Sequence, residues 1–465
     1  MRYISTRGEA PELGFEEAML SGLALDGGLY VPGAVPTLSH ETIAGFAGQP
    51  YEDVAFEVVR PFVTDAFDDE TLRGIIARAY SVFGHDARAP LKQLDANHFL
   101  LELFHGPTLA FKDFAMQLIG QMFQVSLERS GRRVTIVGAT SGDTGSAAIE
   151  AFAGLTNVDV FIMYPNGRVS EVQRRQMTTP AAANVHALAV DGDFDDCQAR
   201  LKDMFNDHAF RSEVSLAAVN SINWARVLAQ VVYYFTSAVA LGAPERAVSY
   251  TVPTGNFGDI FAGFIAKEMG LPINRLVIAT NQNDILDRAM RDAAYTKHGV
   301  RPSISPSMDI EVSSNFERAL FWAHDHDGAA VAGLMDELAT TGSFQISPNA
   351  MTALSAHYDS GMANEATTAD TIKATLAARG ELLCPHSAVG VHVADAHIAR
   401  APGIPMVTLA TAHPAKFPDA VEAATGVRPA LPPRMGDLFD LPERIAKAPN
   451  DLGDLQDIIR KGRAA

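Results

Sequence analysis

The sequence predicts an α/β fold with parallel strands, preceded by an additional N-terminal helical unit. Three observations favour this class. Short runs rich in β-forming residues alternate with longer helical runs from about residue 130 onward. The order of strand, loop and helix returns at three places along the chain. The first 95 residues lack this alternation and carry helical patterns instead.

The N-terminal unit is predicted from helical stretches that are separated by a glycine-rich loop. "PELGFEEAML" (11–20) and "TLRGIIARAY" (71–80) have helical patterns. Between them lies "LDGGLYVPG" (25–33), whose glycines and proline indicate turns. We therefore predict a separate unit over residues 1–95.

The first strand–loop–helix unit begins after residue 130. "RRVTIVGAT" (132–140) predicts a buried strand that ends in a loop, and "GSAAIEAFAG" (145–154) predicts the helix that follows. "VDVFIMYP" (158–165) predicts the next strand. Such an order is typical of a parallel sheet whose strands are joined by helices.

The same order returns twice more. The second unit has a strand at 247–253, a helix at 260–270 and a strand at 273–280. The third has a strand at 405–411, followed by "AHPAKF" and a helix from residue 418. In open α/β sheets ligands bind beyond the carboxyl ends of strands. The three loops at such ends are therefore candidate binding loops.

Composition limits the partners of the protein. Lysine plus arginine number 37 and aspartate plus glutamate 55, which gives a net charge of −18. This balance argues against nucleic acid or an anionic membrane as a partner. No apolar run approaches the roughly 18 residues of a transmembrane helix, and "MRYISTRGEA" lacks the apolar core of a signal peptide. We predict a cytoplasmic protein with a small-molecule ligand.

Cysteine and histidine spacings predict no metal site. Cys197 and Cys384 lie far apart and in no ligand spacing, as is typical of reduced thiols. The cluster "HDHD" (324–327) would point its side chains in different directions on a helix. A solvated polar patch is the better interpretation.

Lys112, within "HGPTLAFKDFAMQ" (105–117), is the candidate catalytic residue. We predict a helix from Leu109 to Ser126, which places Lys112 near a helix N-terminus and over apolar side chains. Both surroundings disfavour an ammonium, so the pKa of Lys112 is expected to be lowered. A neutral, buried lysine is suited to Schiff-base formation. The alternative is that Lys112 extends its head group into water.

Two glycine-rich loops favour the catalytic interpretation of Lys112. "GATSGDTGSAA" (138–148) and "PTGNFGDIFAG" (253–263) each join a strand to a helix, where exposed backbone N–H groups bind anions. The first of these loops lacks the spacing of a Walker A or dinucleotide motif. A glycine-rich turn that serves packing alone remains the alternative for either loop. Two anion loops and a Schiff-base lysine suggest pyridoxal 5′-phosphate.

Five segments in this order closely resemble the threonine synthase family. They are "HGPTLAFKDFAMQ", "GATSGDTGSAA", "NSINWAR", "PTGNFGD" and "ATAHPAKF". The N-terminal "YISTRG" and "LALDGGLYVP" are similar to the longer variety of that family. "SSNFER" (313–318) also fits the family pattern, without an assigned role.

The resemblance implies a two-lobed, tryptophan-synthase-β-like fold of pyridoxal-phosphate enzymes, with the cofactor between the lobes. The first α/β lobe is predicted over residues 96–245. The larger lobe is predicted over residues 246–465, with an insertion around 290–400 that shows no clear strand alternation until its end. The oligomeric state implied is a monomer or a simple homo-oligomer.

The resemblance also implies the residues of the cofactor site. Lys112 would carry the cofactor as a Schiff base, Asp143 would face its 3′-oxygen, and Thr411 would lie by its pyridine nitrogen. The loop that would hold the cofactor phosphate consists of Gly255, Asn256, Phe257, Gly258 and Asp259.

The implied reaction converts O-phospho-L-homoserine and water to L-threonine and phosphate, by γ-elimination and β-addition. Asn220 and Arg226 would bind the substrate phosphate, and Thr140 and Ser141 would help to bind the substrate. Arg226 offers a planar fork to a phosphate dianion. Lys112, once released from the cofactor, would move protons as a base.

Two other functions remain open at this point. One is a related pyridoxal-phosphate lyase or dehydratase that acts on amino acids or amino-phosphates, because Asn220 and Arg226 do not fix the length of the substrate. The other is a non-catalytic phosphate-binding protein. The products formed from phosphohomoserine would distinguish a synthase from a lyase or dehydratase. Absorption by a bound cofactor would exclude a non-catalytic phosphate-binding protein.

Overall fold

The computed structural model describes residues 1–463. Its N-terminal part contains helices and a short antiparallel sheet of two strands. The predicted helical character of this part is confirmed. Its elements are β1 (Tyr3–Ser5), α1 (Phe15–Ser21), β2 (Tyr30–Pro32), α2 (His40–Ala44), α3 (Tyr51–Val63), α4 (Asp69–Tyr80) and β3 (Leu91–Asp95).

The next part alternates strands and helices. The predicted strand at 158–165 is confirmed exactly, and the strand predicted at 132–140 extends over 134–139. The elements are β4 (His98–Glu102), α5 (Lys112–Ser130), β5 (Val134–Ala139), α6 (Asp143–Phe152), β6 (Val158–Pro165), α7 (Glu171–Thr178), β7 (Val185–Val190), α8 (Phe194–Asn206), α9 (His208–Glu213), β8 (Leu216–Ala217) and α10 (Trp224–Ala240).

The remaining part, from residue 246 to residue 463, contains the second and third predicted units. Short 3₁₀ turns occur at Pro306–Met308, Pro414–Lys416 and Pro433–Met435. The elements are β9 (Val248–Pro253), α11 (Gly258–Glu268), β10 (Ile273–Thr280), α12 (Ile285–Asp292), β11 (Ala294–Thr296), α13 (Phe316–Ala323), α14 (Gly328–Thr341), β12 (Ser343–Gln345), α15 (Pro348–His357), β13 (Tyr358–Met362), α16 (Glu365–Arg379), α17 (Pro385–Arg400), β14 (Met406–Ala410), α18 (Pro418–Thr425), β15 (Ala446–Ala448) and α19 (Leu452–Gly462).

Two larger sheets form the frame of residues 1–463. One has the strand order β13-β10-β9-β14-β4-β3 and is parallel except for β3, which pairs antiparallel with β4. The other has the order β15-β7-β6-β5-β8 and is parallel throughout. β3 and β4 lie in the sheet of the third part, and β15 lies in the sheet of the second. Each sheet therefore contains strands from more than one of the predicted domains. The domain boundaries at residues 95 and 245 stay predictions.

The segment around 290–400 differs from its prediction, because strands occur well before its end. β11 and β12 pair as a two-stranded antiparallel sheet, and β13 forms an edge of the six-stranded sheet in the described chain. These strands have three to five residues and mixed polar sequences, such as "YDSGM" in β13. Such short segments carry little of the periodicity that identifies a strand.

The sheet order explains where a site forms. β9, β14 and β4 are neighbours and run parallel, so their carboxyl ends lie along one edge. The segment before Lys112, the loop at 254–257 and Thr411 follow these three ends. The loop after β5, which leads to Asp143, belongs to the other sheet. A cavity lined by both sets of loops lies between the two sheets.

Candidate active site

Lys112 is the first residue of α5 and lies against the carboxyl end of β14. The N–H of Phe111 donates to the carbonyl of Thr411 over 2.9 Å, which fixes the two segments side by side. Asp113 closes the turn before the helix by accepting from the N–H and the hydroxyl of Thr108, at 2.8 and 2.6 Å. The helix therefore begins three residues later than predicted, and Lys112 is held at its N-terminus.

The Lys112 amine is buried, and its surroundings are polar rather than the apolar surface that the sequence predicted. Its Nζ lies 3.2 Å from Asp143 Oδ2 and 3.4 Å from the Ser307 hydroxyl. Burial lowers the pKa of Lys112, the charges of Lys416 and Arg226 lower it further, and Asp143 opposes them. The direction agrees with the prediction.

Asp143 is the centre of the hydrogen-bond network at the site. Its Oδ1 accepts from Gln173 Nε2 over 2.9 Å and lies 3.0 Å from Lys416 Nζ. Its Oδ2 accepts from Lys112 and, over 3.0 Å, from the Ser307 hydroxyl. Burial alone would raise the pKa of Asp143, but Lys112 and Lys416 hold it well below its usual value. Asp143 is therefore a carboxylate.

The loop between β9 and α11 forms one wall of the cavity. Phe257 has φ 65° and ψ 0°, an uncommon backbone conformation for a bulky residue, immediately before the helix begins. A Cβ at Gly255 would stand 2.7 Å from the carbonyl oxygen of Ser307, so only glycine fits there without displacement. The first N–H groups of α11 have no hydrogen-bond acceptor within the helix, so they can bind an anion at its N-terminus. The lining residues of this loop are Thr254, Gly255, Asn256, Phe257, Gly258 and Asp259.

Asp259 lines the cavity, and its burial favours the protonated form of the carboxyl group. Its Oδ1 accepts hydrogen bonds from the hydroxyls of Tyr233 and Tyr234. Burial raises the pKa of Asp259 to about 7, although both tyrosines oppose the rise. A protonated carboxyl does not repel an anion bound to the same loop.

Arg226 is a buried cation that also lines the cavity. The residue is 4 % exposed and lies in the first turn of α10. One hydrogen bond, from its guanidinium to Val219 O over 3.2 Å, is made within residues 1–463. In that part of the chain its Nε has no partner and no carboxylate pairs with it. Gln230, four residues further along the helix, lines the same wall. The positive charge of Arg226 is therefore available to bind an anion in the cavity.

His386, at the start of α17, also lines the cavity. Its Nε2 accepts from the N–H of Ser307 over 3.2 Å, and its buried Nδ1 has no partner among residues 1–463. Burial lowers the pKa of His386 to about 4, so the ring is neutral. With Nε2 as an acceptor, the proton resides on Nδ1.

The "SSNFER" segment joins two walls of the cavity. The Ser313 hydroxyl donates to Gly255 O over 2.6 Å. Asn315 Nδ2 donates to Asn256 O over 2.9 Å and to Ser221 O over 3.1 Å. The segment thus ties the loop before α11 to the loop that precedes Arg226, which gives it a supporting position at the site.

Three of the predicted substrate residues lie outside the cavity lining in the described chain. The Thr140 hydroxyl accepts from the N–H groups of Gly142 and Gly145, both at 2.9 Å, and so shapes its own loop. Ser141 lines an adjoining cleft. Asn220 is exposed. The substrate roles of Thr140, Ser141 and Asn220 stay predictions.

Two histidines of the recognised segments make local contacts. His105 Nε2 bonds to Glu102 over 2.7 Å, and His413 Nδ1 accepts from the N–H of Ala415 over 3.1 Å. Neither is among the residues that line the cavity. Within residues 1–463, no group of His, Cys, Asp and Glu is arranged to hold a metal ion.

Several site residues were missed by sequence reasoning. Gln230 follows Arg226 by four positions on a helix, and this spacing would have placed both on one face. Lys416 stands within "AHPAKF", but a second buried lysine had no local signal. The missed residues that take part in the contacts described above are Gln173, Gln230, Ser307, His386 and Lys416.

Three protein-family models match successive parts of the chain. They are described as "Threonine synthase N terminus" over residues 2–80, "Pyridoxal-phosphate dependent enzyme" over 84–367 and "Threonine synthase, C-terminal" over 387–459. A curated threonine synthase of Pseudomonas aeruginosa is 53 % identical over 460 residues, which cover 99 % of this chain and 98 % of that protein.

Solved structures agree with these matches. The crystal structure of threonine synthase from Brucella melitensis with bound PLP has a TM-score of 0.97 and 55 % identity, with full coverage of both chains. The yeast threonine synthase structure has a TM-score of 0.93 and 38 % identity, with 99 % of this chain and 98 % of that chain covered. The predicted fold class is confirmed, and the chain belongs to the threonine synthase family of pyridoxal-phosphate-dependent enzymes.

Proposed function

We propose that this protein converts O-phospho-L-homoserine and water to L-threonine and phosphate, with pyridoxal 5′-phosphate bound at Lys112. Membership of the threonine synthase family supports the reaction. The observation that carries it here is Arg226, a buried guanidinium without a carboxylate partner in the described chain, which lines the same cavity as Lys112. A phosphate group on the substrate would satisfy it.

The residues present fit pyridoxal 5′-phosphate. A buried amine at Lys112 suits the cofactor aldehyde, and the loop Gly255–Asp259, too tight for a Cβ at its first residue, suits the cofactor phosphate. The protonated form of the Asp259 carboxyl avoids repulsion there. We assign Asp143 to the 3′-oxygen and Thr411 to the pyridine nitrogen, since both line the cavity. When bound, the cofactor stabilises negative charge at the carbon atoms of the amino acid.

Lys112 acts as the base. Burial lowers its pKa and so favours the neutral amine, which can accept a proton from Cα of the substrate and later one from Cβ. The first proton passes from Lys112 to the phosphate group, which leaves Cγ as hydrogen phosphate, and the proton taken from Cβ is delivered to Cγ. Water then adds to Cβ as hydroxide, and its other proton reaches Cα through Lys112. An ordinary lysine would be protonated near pH 7 and unable to serve as a base.

Arg226 and Gln230 hold the phosphate that leaves from Cγ. Arg226 offers parallel N–H donors and a full positive charge, so it stabilises the dianion as the bond to Cγ breaks. The Gln230 side chain, on the same face of α10, adds a neutral hydrogen-bonding group. Asn220, Thr140 and Ser141 are proposed to contact the substrate only when loops around the cavity move toward it.

A product assay tests the proposal. Purified protein loaded with pyridoxal 5′-phosphate is given O-phospho-L-homoserine, and phosphate, threonine, ammonia and keto acid are measured. We expect equal amounts of phosphate and threonine, with activity abolished in Lys112→Ala. Ammonia and a keto acid as the main products would contradict the synthase and support a lyase. Absence of any product, together with absence of cofactor absorption, would support a non-catalytic protein.

Location and assembly complete the proposal. Within residues 1–463 no helix has the length and apolar character that crossing a bilayer requires. We propose a cytoplasmic enzyme that is a monomer or a simple homo-oligomer. Cell fractionation and light scattering of the purified protein test the two statements separately.

A further inference from the structure

Asp143 lies between two buried lysines, one on each carboxylate oxygen. Lys112 Nζ is 3.2 Å from Oδ2, and Lys416 Nζ is 3.0 Å from Oδ1. The remaining donors to this carboxylate, Gln173 and Ser307, are neutral. Asp143 therefore has two cations within ion-pair distance, although a single one would neutralise it.

The two lysines differ in their access to the cavity. Lys112 lines it, whereas Lys416 does not and has no exposed surface. Lys416 lies in the 3₁₀ turn after β14 and also donates to Thr108 O over 2.7 Å. Its ammonium is thus fixed between two acceptors and has no route to a ligand in the cavity.

The proposed chemistry needs Lys112 as a neutral amine, both to attack an aldehyde and to act as a base. A buried carboxylate without any cation is strongly disfavoured. If Lys112 were the sole counter-charge of Asp143, the carboxylate would keep Lys112 protonated. The other ionisable groups around this pair are Asp113, Arg226, Asp259 and His386. His386, with its pKa lowered to about 4, is neutral near pH 7, and burial favours the protonated form of Asp259, whose pKa is raised to about 7. Asp113 accepts hydrogen bonds from Thr108, and Arg226 is assigned to an anion in the cavity.

We propose that Lys416 is a positioning residue that acts as the permanent counter-charge of Asp143, so that Lys112 is free to be a neutral amine. This proposal rests on the proposed function in one respect, because it takes Lys112 as the reactive lysine. Lys416 itself touches neither substrate nor cofactor.

Chemical labelling of the cofactor-free, full-length protein measures the effect. Acetic anhydride is applied in short pulses from pH 6 to pH 11, and acetylation of the Lys112 peptide is followed by mass spectrometry. In Lys416→Met we expect the midpoint of Lys112 labelling to rise by at least about one pH unit, which slows its labelling at pH 7 about tenfold. Adding Asp143→Asn to Lys416→Met should return the midpoint to near the wild-type value, because the carboxylate that protonates Lys112 is gone.

Controls separate charge from structure. Lys416→Arg keeps the charge and should leave the midpoint within about half a pH unit. If Lys416→Met does not fold, Lys416→Gln removes the same charge and carries the test with the same expected rise. Lys267→Met removes a half-buried lysine that does not line the cavity and should change nothing. An unchanged midpoint in Lys416→Met, or an equally large shift in Lys416→Arg, overturns the proposal. An ordinary midpoint for Lys112 in the wild-type protein would instead overturn the proposed function.

Discussion

Arg226→Met is expected to stabilise the cofactor-free protein while it removes most of the activity. The guanidinium is buried, and one hydrogen bond to Val219 O is its observed partner in residues 1–463. In most proteins a buried arginine is held by several acceptors. Here the side chain is kept for a ligand, so its removal should affect folding and function in opposite directions.

The structure sets the size of the stability effect. Burial lowers the pKa of Arg226 to about 10, a change that corresponds to about 3 kcal/mol of unfavourable burial. Loss of the hydrogen bond to Val219 removes about 1 kcal/mol of stabilisation. Methionine fills the apolar part of the site with little strain. The cofactor-free variant should therefore be about 1–2 kcal/mol more stable than the wild type.

The effect on activity has the opposite sign. Truncating one partner of a buried, hydrogen-bonded charge pair costs about 2–5 kcal/mol. For O-phospho-L-homoserine this predicts a fall in kcat/KM of about 30-fold to about 4,000-fold. Free inorganic phosphate, the proposed product, should inhibit the wild type and should inhibit the variant much less.

The assay pairs urea unfolding of the cofactor-free protein with steady-state release of phosphate. Arg318→Met is the matched control, because Arg318 is also fully buried but donates to Tyr30 O and Ile222 O and bonds to the Asn315 side chain. Burial lowers the pKa of Arg318 to about 9, which corresponds to about 5 kcal/mol of unfavourable burial that the substitution relieves. The substitution also leaves three acceptors unpaired, at about 2 kcal/mol each, so that variant should be destabilised by about 1 kcal/mol. Equal destabilisation by both substitutions, or a kcat/KM within tenfold of the wild type in Arg226→Met, would refute the reasoning.

Three further predictions concern the lysine, the loop and the buried carboxyl. Lys112→Ala should bind the cofactor without the absorption of a Schiff base and lose at least about 100-fold in kcat, as measured by spectra and product release; retained activity would exclude Lys112 as the base. Gly255→Ala places a Cβ 2.7 Å from Ser307 O, whereas Gly258→Ala meets Asn315 Nδ2 at 3.4 Å. An overpacking cost of about 1–3 kcal/mol predicts that Gly255→Ala weakens cofactor binding about 10- to 100-fold and Gly258→Ala much less, and equal dissociation constants would contradict this. Burial raises the pKa of Asp259 to about 7 in the folded protein, whereas the unfolded chain releases this proton near pH 4. The free energy of unfolding should therefore fall as pH rises from about 4 to about 7, by up to about 4 kcal/mol. Asp259→Asn should lack this loss when urea unfolding is compared at pH 4 and pH 8, and parallel losses in both proteins would argue against a neutral Asp259.

Much of the frame follows from local sequence. The strands at 158–165 and 273–280 have continuous apolar runs because both faces of a parallel sheet are buried, and their bounds agree with the prediction. The glycine-rich loops follow such strands directly. β11, β12 and β13 were missed because they are short and lie at sheet edges or in a small sheet, where no strong pattern is required.

The site was predicted where it depends on neighbours in the chain and missed where it depends on distant ones. Lys112, Asp143 and Thr411 stand in segments with recognisable sequence. Ser307 and Lys416 reach Asp143 across 164 residues and more than 270 residues respectively, through a loop and a turn without periodicity. The polar surroundings of Lys112 were missed for the same reason, since Asp143 and Ser307 come from other elements.

Reductive trapping tests the central claim, that Lys112 is the buried amine which bonds to the cofactor. The protein loaded with pyridoxal 5′-phosphate is treated with borohydride and digested, and modified peptides are identified by mass spectrometry. Two buried lysines contact Asp143, but Lys112 alone of the two lines the cavity. The account predicts a single stoichiometric pyridoxyl group on Lys112. Modification of Lys416, or of no lysine at all, would contradict it.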